Sequence, residues 1–336
     1  MSSATGVSVA DELPGPDGRA PLSGDQASTG RVGDQIFLGA ARGASGLVIA
    51  IVTLVGLFLL WQAIPALSKN EANFLTSREW SVDGAHPRFG IVELLWTTIT
   101  ASTIALLLAV PVGVCVALFI TQYAPRWLAN PAANTIDLLA AVPSIVYGLW
   151  GLRTFGPVFE PFQSFLLAHF SWIPIFSKTS VTGSGTILFI GIVLAIMVLP
   201  IVTALSREVF AQTPVTHKEG ALALGATKWE MIRTAVLPFG RPGVISASML
   251  ALGRALGETI AVTIIVSTLA DGTPWSWSLL NGGETFASRI ANNAAEFDSP
   301  QKAGAFIAAG LVLFVLTFVV NAIARIVIER RKAFSE

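Results

Sequence analysis

The chain has 336 residues, of which 53% are hydrophobic and 12% are charged, with 21 basic and 21 acidic side chains. A soluble globular protein usually carries roughly 25% charged residues, so this chain has too few charges to cover a water-facing surface. A formal net charge of zero also argues against nucleic-acid binding, which requires a basic face. The single cysteine, Cys115, excludes an intramolecular disulfide and a cysteine-rich metal site. No catalytic or metal site is predicted, and no cofactor.

The apolar residues are gathered into six runs that are each long enough to cross a membrane as a helix. We therefore predict an all-α, polytopic membrane protein with six transmembrane helices. Pro143 falls inside the third run and Pro200 inside the fourth, which a helix bundle tolerates because its neighbours re-satisfy the freed carbonyl. The runs cover residues 46–67, 92–122, 132–152, 185–205, 243–270 and 303–328.

Residues 1–42 differ in character, because they are rich in Gly, Ser, Ala, Asp and Pro and have no periodic apolar face. We predict a disordered cytoplasmic tail there and a membrane domain over residues 43–336. With the N-terminus inside, thirteen basic residues fall on the inner side and seven on the outer side. This bias predicts that both termini are cytoplasmic.

The segment 207–242 joins the fourth and fifth runs and reads as two short helices. Thr213-Pro214 predicts a helix start, and Thr216 with Glu219 predicts a capping box one turn later. Gly225 is expected to close that helix in the left-handed conformation. Thr227 with Glu230 predicts a second capping box, and Pro238 is expected to stop the second helix. Two interpretations remain open, a compact connector whose glutamates cap helices and a docking site for another protein.

One further pattern in this segment fails as a phosphate loop. Gly220 and Gly225 have the spacing of a P-loop, but Ala226 and Thr227 follow where Lys and Ser or Thr are needed. The energy for any transport against a gradient must then come from a partner or an ion gradient.

The same segment resembles the signature loop of the ATP-binding-cassette importer permeases. The resemblance lies in Glu219-Gly220-Ala221, three residues, Gly225, and Leu237-Pro238 twelve residues further on. Gly220 and Ala235 depart from the family, which usually has Ala and Ile there. The resemblance implies a type I importer permease with a MetI-like bundle and no enzymatic activity of its own. It implies that Glu219, Gly220, Ala221, Gly225, Leu237 and Pro238 belong to a coupling loop that docks on a separate ATPase.

Two other runs, Tyr147-Gly148-Leu149-Trp150-Gly151 and Gly253-Arg254-Ala255-Leu256-Gly257-Glu258-Thr259, resemble the phosphate-specific branch of these permeases and, within it, the PstC type. This likeness implies import of inorganic phosphate across the cytoplasmic membrane. It also implies three partners: a PstA-like sister permease, a PstB-like ATP-binding subunit and an extracytoplasmic PstS-like phosphate-binding protein. A permease for sulfate or molybdate is the alternative within the superfamily, and a secondary transporter or channel is the alternative outside it.

Arg254 and Glu258 stand near the centre of the fifth run and are the candidate substrate-pathway residues. A charge there costs at least ~2.5 to 3.5 kcal/mol, so it requires a partner or a wet cavity. Their spacing of four residues places both on one helix face and allows them to neutralise each other. Two interpretations remain open, a structural ion pair and a site in a translocation path, where the arginine fork would bind an oxyanion.

Two segments are assigned to the outer side. Residues 153–182 alternate phenylalanines with prolines, which predicts an interfacial or re-entrant piece broken by the prolines and not a further span. Residues 271–302 are either a plain solvated loop or, as the resemblance implies, part of the surface that receives the phosphate-binding protein.

Overall fold

A computed structural model describes residues 30–332 apart from Ala85, Lys178, Thr182, Asp271, Gly272 and Trp275. The chain divides into two units, Met1–Val55 and Gly56–Glu336. The described part of the first unit is the beginning of one long helix, which starts at Gly30. Residues 30–42 are therefore helical where the sequence predicted a disordered tail, and the rest of that predicted tail lies outside the described residues.

Helices account for most of the described chain, with one two-stranded antiparallel hairpin that pairs Trp80 with Phe89. A π-helical turn at Phe119–Tyr123 ends one helix, and two others, at Gly151–Phe155 and Ile232–Val236, join consecutive helices end to end. In chain order the elements are α1 Gly30–Lys69, β1 Trp80–Ser81, β2 Arg88–Phe89, α2 Val92–Leu118, α3 Arg126–Ala140, α4 Ser144–Trp150, α5 Gly156–Phe170, α6 Ile187–Ala211, α7 Val215–Ala223, α8 Lys228–Met231, α9 Leu237–Leu256, α10 Ile260–Ile265, α11 Phe286–Asn292 and α12 Pro300–Lys332.

Five continuous helical stretches in the described residues are long and apolar enough to cross a membrane. A sixth span exists if the bent pair formed by α3 and the helix Ser144–Phe170 counts as one. The prediction of an all-α, polytopic membrane protein is thus confirmed. The five stretches are Gly33–Lys69, Val92–Tyr123, Ile187–Ala211, Lys228–Leu256 and Pro300–Ile323.

The third predicted span, residues 132–152, is not a straight helix. The chain bends by 90° between α3 and α4, where Pro143 takes an extended conformation with ψ of 141°. Proline causes this bend because it lacks an N–H and its ring clashes with the preceding turn. The Tyr147 hydroxyl donates a hydrogen bond of 3.1 Å to the carbonyl of Leu139 across the bend and so fixes the two arms together.

Prolines do not break the next stretch, contrary to the prediction for residues 153–182. α4 continues through the π-turn into α5, which runs to Phe170 with Pro157 in its first turn and Pro161 inside it. The wider π-turn that precedes Pro157 accommodates its ring and its missing N–H. The fragmented part of this segment begins only after Phe170.

The centre of the second unit is built from α2 and α6, which lie side by side and run in the same direction. Gly191 faces Ala101 and Ile104 near the start of both helices, and Gly113 faces Val202 further along. We call the side on which α2 and α6 begin, next to the β-hairpin, the hairpin side. The opposite side, where both helices end, is the loop side.

α9 runs in the opposite direction to these two helices. It begins beside the end of α6, where Gly240 meets Phe210. Its later residues Ala251 and Ala255 belong to the same buried cluster as Ala101 of α2. α12 likewise runs antiparallel to the second half of α1, since Gly304 meets Ala66 and Phe314 meets Gly56.

Candidate functional site

Arg254 is a half-buried residue in the last turn of α9. Its neighbours Ala251 and Ala255 are buried in the central cluster, so the residue lies within the bundle and not at one of its ends. Among the residues that the structure describes, no carboxylate lies within ion-pair distance of its guanidinium. A cation at such a depth is therefore available to a ligand.

Glu258 is buried, with 8% of its surface exposed, but it does not pair with Arg254. α9 ends at Leu256, and Gly257 forms the break before α10. The Glu258 carboxylate accepts a hydrogen bond of 3.2 Å from the backbone N–H of Ala261 and so caps α10. Because the helix ends between the two residues, they do not share one helix face, and the ion pair predicted between them does not form in the described chain.

The small residues of α9 form two surfaces with different roles. On one, Gly243, Ala247 and Ala251 pack tightly, and a Cβ added to Gly243 would lie 2.4 Å from Val209. On the other, a Cβ at Gly253 would meet nothing within 4 Å, and one at Gly257 would meet only the carbonyl of Gly253. The strip predicted along Gly243 is thus a packing surface, while open space lies beside Gly253 and Gly257.

Two glycines, one in α4 and one at the start of the π-turn that follows it, allow the short helix α10 to pack closely against this stretch. A Cβ on Gly148 would lie 3.0 Å from the Cα of Ala261, and one on Gly151 would lie 3.1 Å from Ile265. The two backbones therefore approach more closely than larger residues would permit. The Tyr147–Gly151 run, which carries part of the family resemblance, brings the bent span against the break that follows Arg254.

The loop-side segment has the predicted helix, glycine, helix order. α7 spans Val215–Ala223, and Gly225 follows it with φ of +85°, the left-handed conformation that was predicted. Thr227 and Glu230 form the second predicted capping box at the start of α8. The first predicted capping box is absent, since Pro214 precedes α7 without a side-chain cap.

The two glutamates that were predicted to cap helices, Glu219 and Glu230, therefore have different surroundings. The carboxylate of Glu230 is occupied by the Thr227 backbone and hydroxyl. Glu219 is exposed and caps nothing in the described chain. The connector interpretation therefore accounts for Glu230 but leaves Glu219 unexplained.

Exposed apolar side chains occur in the same loop segment as Glu219. Gly220 is also exposed, whereas Ala221 is half-buried and packs against the cluster of Met231 and Ile232. A monomeric soluble surface rarely groups large apolar residues in this way without an interaction. The exposed apolar residues are Val215 at 63%, Leu222 at 46%, Leu224 at 91% and Trp229 at 57%.

Leu237 and Pro238 do not stop a helix, contrary to the prediction. Leu237 packs against the cluster that contains Phe210, and Pro238 lies in the first turn of α9. The π-turn Ile232–Val236 directly precedes them. This wider turn accommodates the proline ring and its missing N–H, so α8 and α9 form one continuous span.

A cavity on the hairpin side has a volume of about 840 Å³. Its wall contains a buried network in which Glu284, with a side chain 6% exposed, forms an ion pair with Arg289. Asn292 donates a hydrogen bond of 3.1 Å to the same carboxylate, and the Arg289 guanidinium lies 5.3 Å from the Trp80 ring centre. The lining residues include Arg78, Glu79, Trp80, Asp83, Glu93, Glu284, Arg289 and Lys302.

Sequence reasoning missed this network. Residues 271–302 were read as a solvated loop or a docking surface, with no residue of the segment given a role. Glu284 is buried, so the interpretation of the whole segment as plain solvated loop is wrong. A signal was available in Thr285 and Ser288, which form a capping box at the start of α11 and mark an ordered helix.

Comparison with known proteins identifies the chain's relatives. Residues 109–333 match the family described as binding-protein-dependent transport system inner membrane component. The chain is 51% identical over 298 residues to the phosphate transport system permease protein PstC 2 of Mycobacterium tuberculosis, covering 88% of this chain and 91% of that protein. It is 39% identical over 301 residues to the phosphate transport system permease protein PstC of Xylella fastidiosa, covering 88% and 91%.

Solved structures resemble the fold at low sequence identity. The inward-facing MetNI methionine ABC transporter has a chain with a TM-score of 0.53 and 15% identity, covering 71% of this chain and 95% of that one. A bacterial ABC transporter involved in import of the acidic polysaccharide alginate gives a TM-score of 0.51 at 16% identity, covering 71% and 79%. The predicted MetI-like bundle is thereby confirmed. The chain belongs to the family of binding-protein-dependent transport system inner membrane components and, within it, to the PstC-type permeases.

Proposed function

We propose that this chain is the PstC-type permease subunit of an ATP-driven importer and that inorganic phosphate crosses the cytoplasmic membrane along a path beside Arg254. The curated relatives that cover most of the chain are named phosphate transport system permease proteins. The family is one of transport components, so the chain itself transports and does not catalyse.

The observation that carries this proposal is the guanidinium of Arg254 inside the bundle, which has no carboxylate partner among the described residues. An arginine cannot lose its charge, and its planar fork binds two oxygens of a phosphate at once. The glycine surface of Gly253 and Gly257 leaves open space next to it. An oxyanion that reaches this space would find a permanent cation beside it.

Glu258 acts on this site in two ways in our proposal. Its carboxylate fixes the first turn of α10, which sets the shape of the break that follows Arg254. Its charge, four residues from Arg254 along the chain, keeps the local positive potential low enough for phosphate to leave again. A path must bind its ion weakly enough to release it.

Energy would come from a separate ATPase that docks on the loop side through Glu219, Gly220, Ala221 and Gly225. The exposed Glu219 and the apolar surface around Leu224 support this role. The excess of basic residues on this side supports a cytoplasmic location for it and for both termini. The other proposed partners are a PstA-like sister permease and, on the hairpin side, a PstS-like phosphate-binding protein facing the cavity at Arg289.

The test is uptake of radiolabelled phosphate by cells that carry Arg254→Gln in place of the native chain. We expect uptake to fall to background while the variant still inserts and co-purifies with its partners. Arg126→Gln is the matched control, because Arg126 is an exposed arginine at the start of α3, away from α9. Normal phosphate uptake by the Arg254 variant would exclude the proposed path.

Two measurements distinguish the alternative functions: inhibition of uptake by other oxyanions, and the dependence of transport on ATP. A sulfate or molybdate permease would be inhibited by that oxyanion more strongly than by unlabelled phosphate. A secondary transporter or channel would carry phosphate in vesicles that contain no ATP. We expect phosphate alone to compete and ATP to be required.

A further inference from the structure

A groove on the loop side lies between α2 and the beginning of α9. Its volume is about 480 Å³. Five of its lining residues are apolar and the remaining two are arginines. The lining residues are Val114, Leu237, Pro238, Val244, Ile245, Arg233 and Arg241.

The two arginines flank this groove along one helical stretch. Arg233 lies in the π-turn, and Arg241 lies in the first turns of α9. Both side chains are exposed, and no described carboxylate lies within ion-pair distance of either one. Arg88, by contrast, is an exposed arginine that pairs with Glu79 at 3.0 Å.

Arg241 also marks the boundary of the apolar part of this span. No charged residue occurs between Arg241 and Arg254, whereas Lys228, Glu230 and Arg233 precede it. Basic residues in this position meet the headgroup layer, where anionic lipids attract them. The groove thus opens where lipid headgroups and acyl chains meet.

We propose that this groove binds an anionic phospholipid, with an acyl chain against Val114, Val244 and Ile245 and the headgroup phosphate on Arg233 and Arg241. The apolar lining distinguishes a lipid from free phosphate, which has no use for it. The paired positive charge distinguishes an anionic lipid from a zwitterionic one. This site is separate from the Arg254 path and goes beyond the transport function.

The test is native mass spectrometry of the full chain, purified with its partners from bilayers of equimolar phosphatidylcholine and phosphatidylglycerol. We expect the wild type to retain phosphatidylglycerol in preference to phosphatidylcholine. Arg233→Gln with Arg241→Gln should lower that retention on the order of tenfold or more, because each basic residue near an anionic surface adds to the affinity. Arg126→Gln, an exposed arginine outside the groove, should retain the lipid as the wild type does.

A second variant tests the groove without touching its charge. Ile245→Trp fills the apolar lining while both arginines remain, and we expect it to lose phosphatidylglycerol as well. Full retention by this variant would mean that the arginines only collect headgroups at the surface, which overturns the proposal. Equal retention of the two lipids by the wild-type complex, as expected if a protein partner covers the groove, would overturn it too.

Discussion

The carboxylate of Glu258 both caps α10 and carries a negative charge close along the chain to Arg254, and two substitutions separate these roles. Glu258→Gln keeps an oxygen that can accept the Ala261 N–H, so its melting temperature should stay near that of the wild type. Glu258→Ala removes the acceptor and should lower stability by about 1 kcal/mol, the usual cost of a lost cap. We expect phosphate uptake to fall roughly tenfold in both, which corresponds to about 1.4 kcal/mol for a lost charge interaction.

Uptake and thermal unfolding of the purified complex measure these two effects independently. An active Glu258→Gln variant together with an inactive Glu258→Ala variant would show that Glu258 acts through the cap alone. The charge would then have no part in releasing phosphate.

The glycines of α4 and α9 provide a matched pair of substitutions. In Gly148→Ala the new methyl lies 3.0 Å from the Cα of Ala261, so α4 and α10 must separate, at a cost of about 1–3 kcal/mol for overpacking. Gly253→Ala places its methyl in open space and should be neutral or stabilising by up to about 1 kcal/mol, since alanine favours a helix. Melting temperatures of the two purified variants test this difference, and equal effects would contradict the close approach of α4 and α10.

At the level of elements, α7 and the turn after it present apolar surface that the described chain does not cover. Leu224 is 91% exposed, so Leu224→Ser should change stability by less than about 0.5 kcal/mol. If an ATPase buries this leucine, the variant loses about 1.5–3 kcal/mol of binding, which weakens the complex at least tenfold. The measurement is the amount of ATPase that co-purifies with the chain.

Leu75→Ser is the control for that experiment. Leu75 is an exposed leucine, at 67%, on the hairpin side of the bundle, where the ATPase is not expected. Equal ATPase recovery from the Leu224 and Leu75 variants would rule out Leu224 as a contact.

The buried pair of Glu284 and Arg289 joins α11 to the β-hairpin through Trp80. Glu284→Gln leaves the Arg289 charge without its partner. Breaking a fully buried pair costs about 3–5 kcal/mol, but the Arg289 side chain is 25% exposed, so we expect roughly 2 kcal/mol. Replacing both residues by apolar ones, as in Glu284→Leu with Arg289→Met, should recover part of this loss. Thermal unfolding measures these stabilities. A double variant less stable than Glu284→Gln would contradict the expected recovery.

Across the whole molecule, hydrophobic run length was enough to predict the membrane class and the approximate place of the spans. Runs 92–122 and 185–205 correspond to Val92–Tyr123 and Ile187–Ala211. It was not enough to predict where helices bend or continue. Pro143 bends its span by 90°, whereas Pro161 and Pro238 lie within continuous helix. Whether a proline bends a helix or lies within it depends on π-turns and on neighbouring helices, which cannot be predicted from the local sequence.

The candidate site could also be predicted only in part. The sequence indicated which residues to consider, but not how they are arranged in space. Arg254 and Glu258 were singled out from sequence because charges are conspicuous in an apolar run. Their relation was predicted wrongly, because the regular spacing assumed one helix and Gly257 ends it. Glu284 and Arg289 were not singled out, since a loop between two spans gives no sign that one of its carboxylates is buried.

The π-turn at Ile232–Val236 also determines the direction in which the loop surface points. A π-turn holds one residue more than the α-helical turn it replaces, and each residue rotates a helix by about 100°. Were this turn to become α-helical with all its residues kept, α8 would rotate by that angle about the axis of α9. Trp229 would then leave its present orientation while the bundle stayed the same. The alignment of the loop with any partner therefore depends on this turn remaining π-helical.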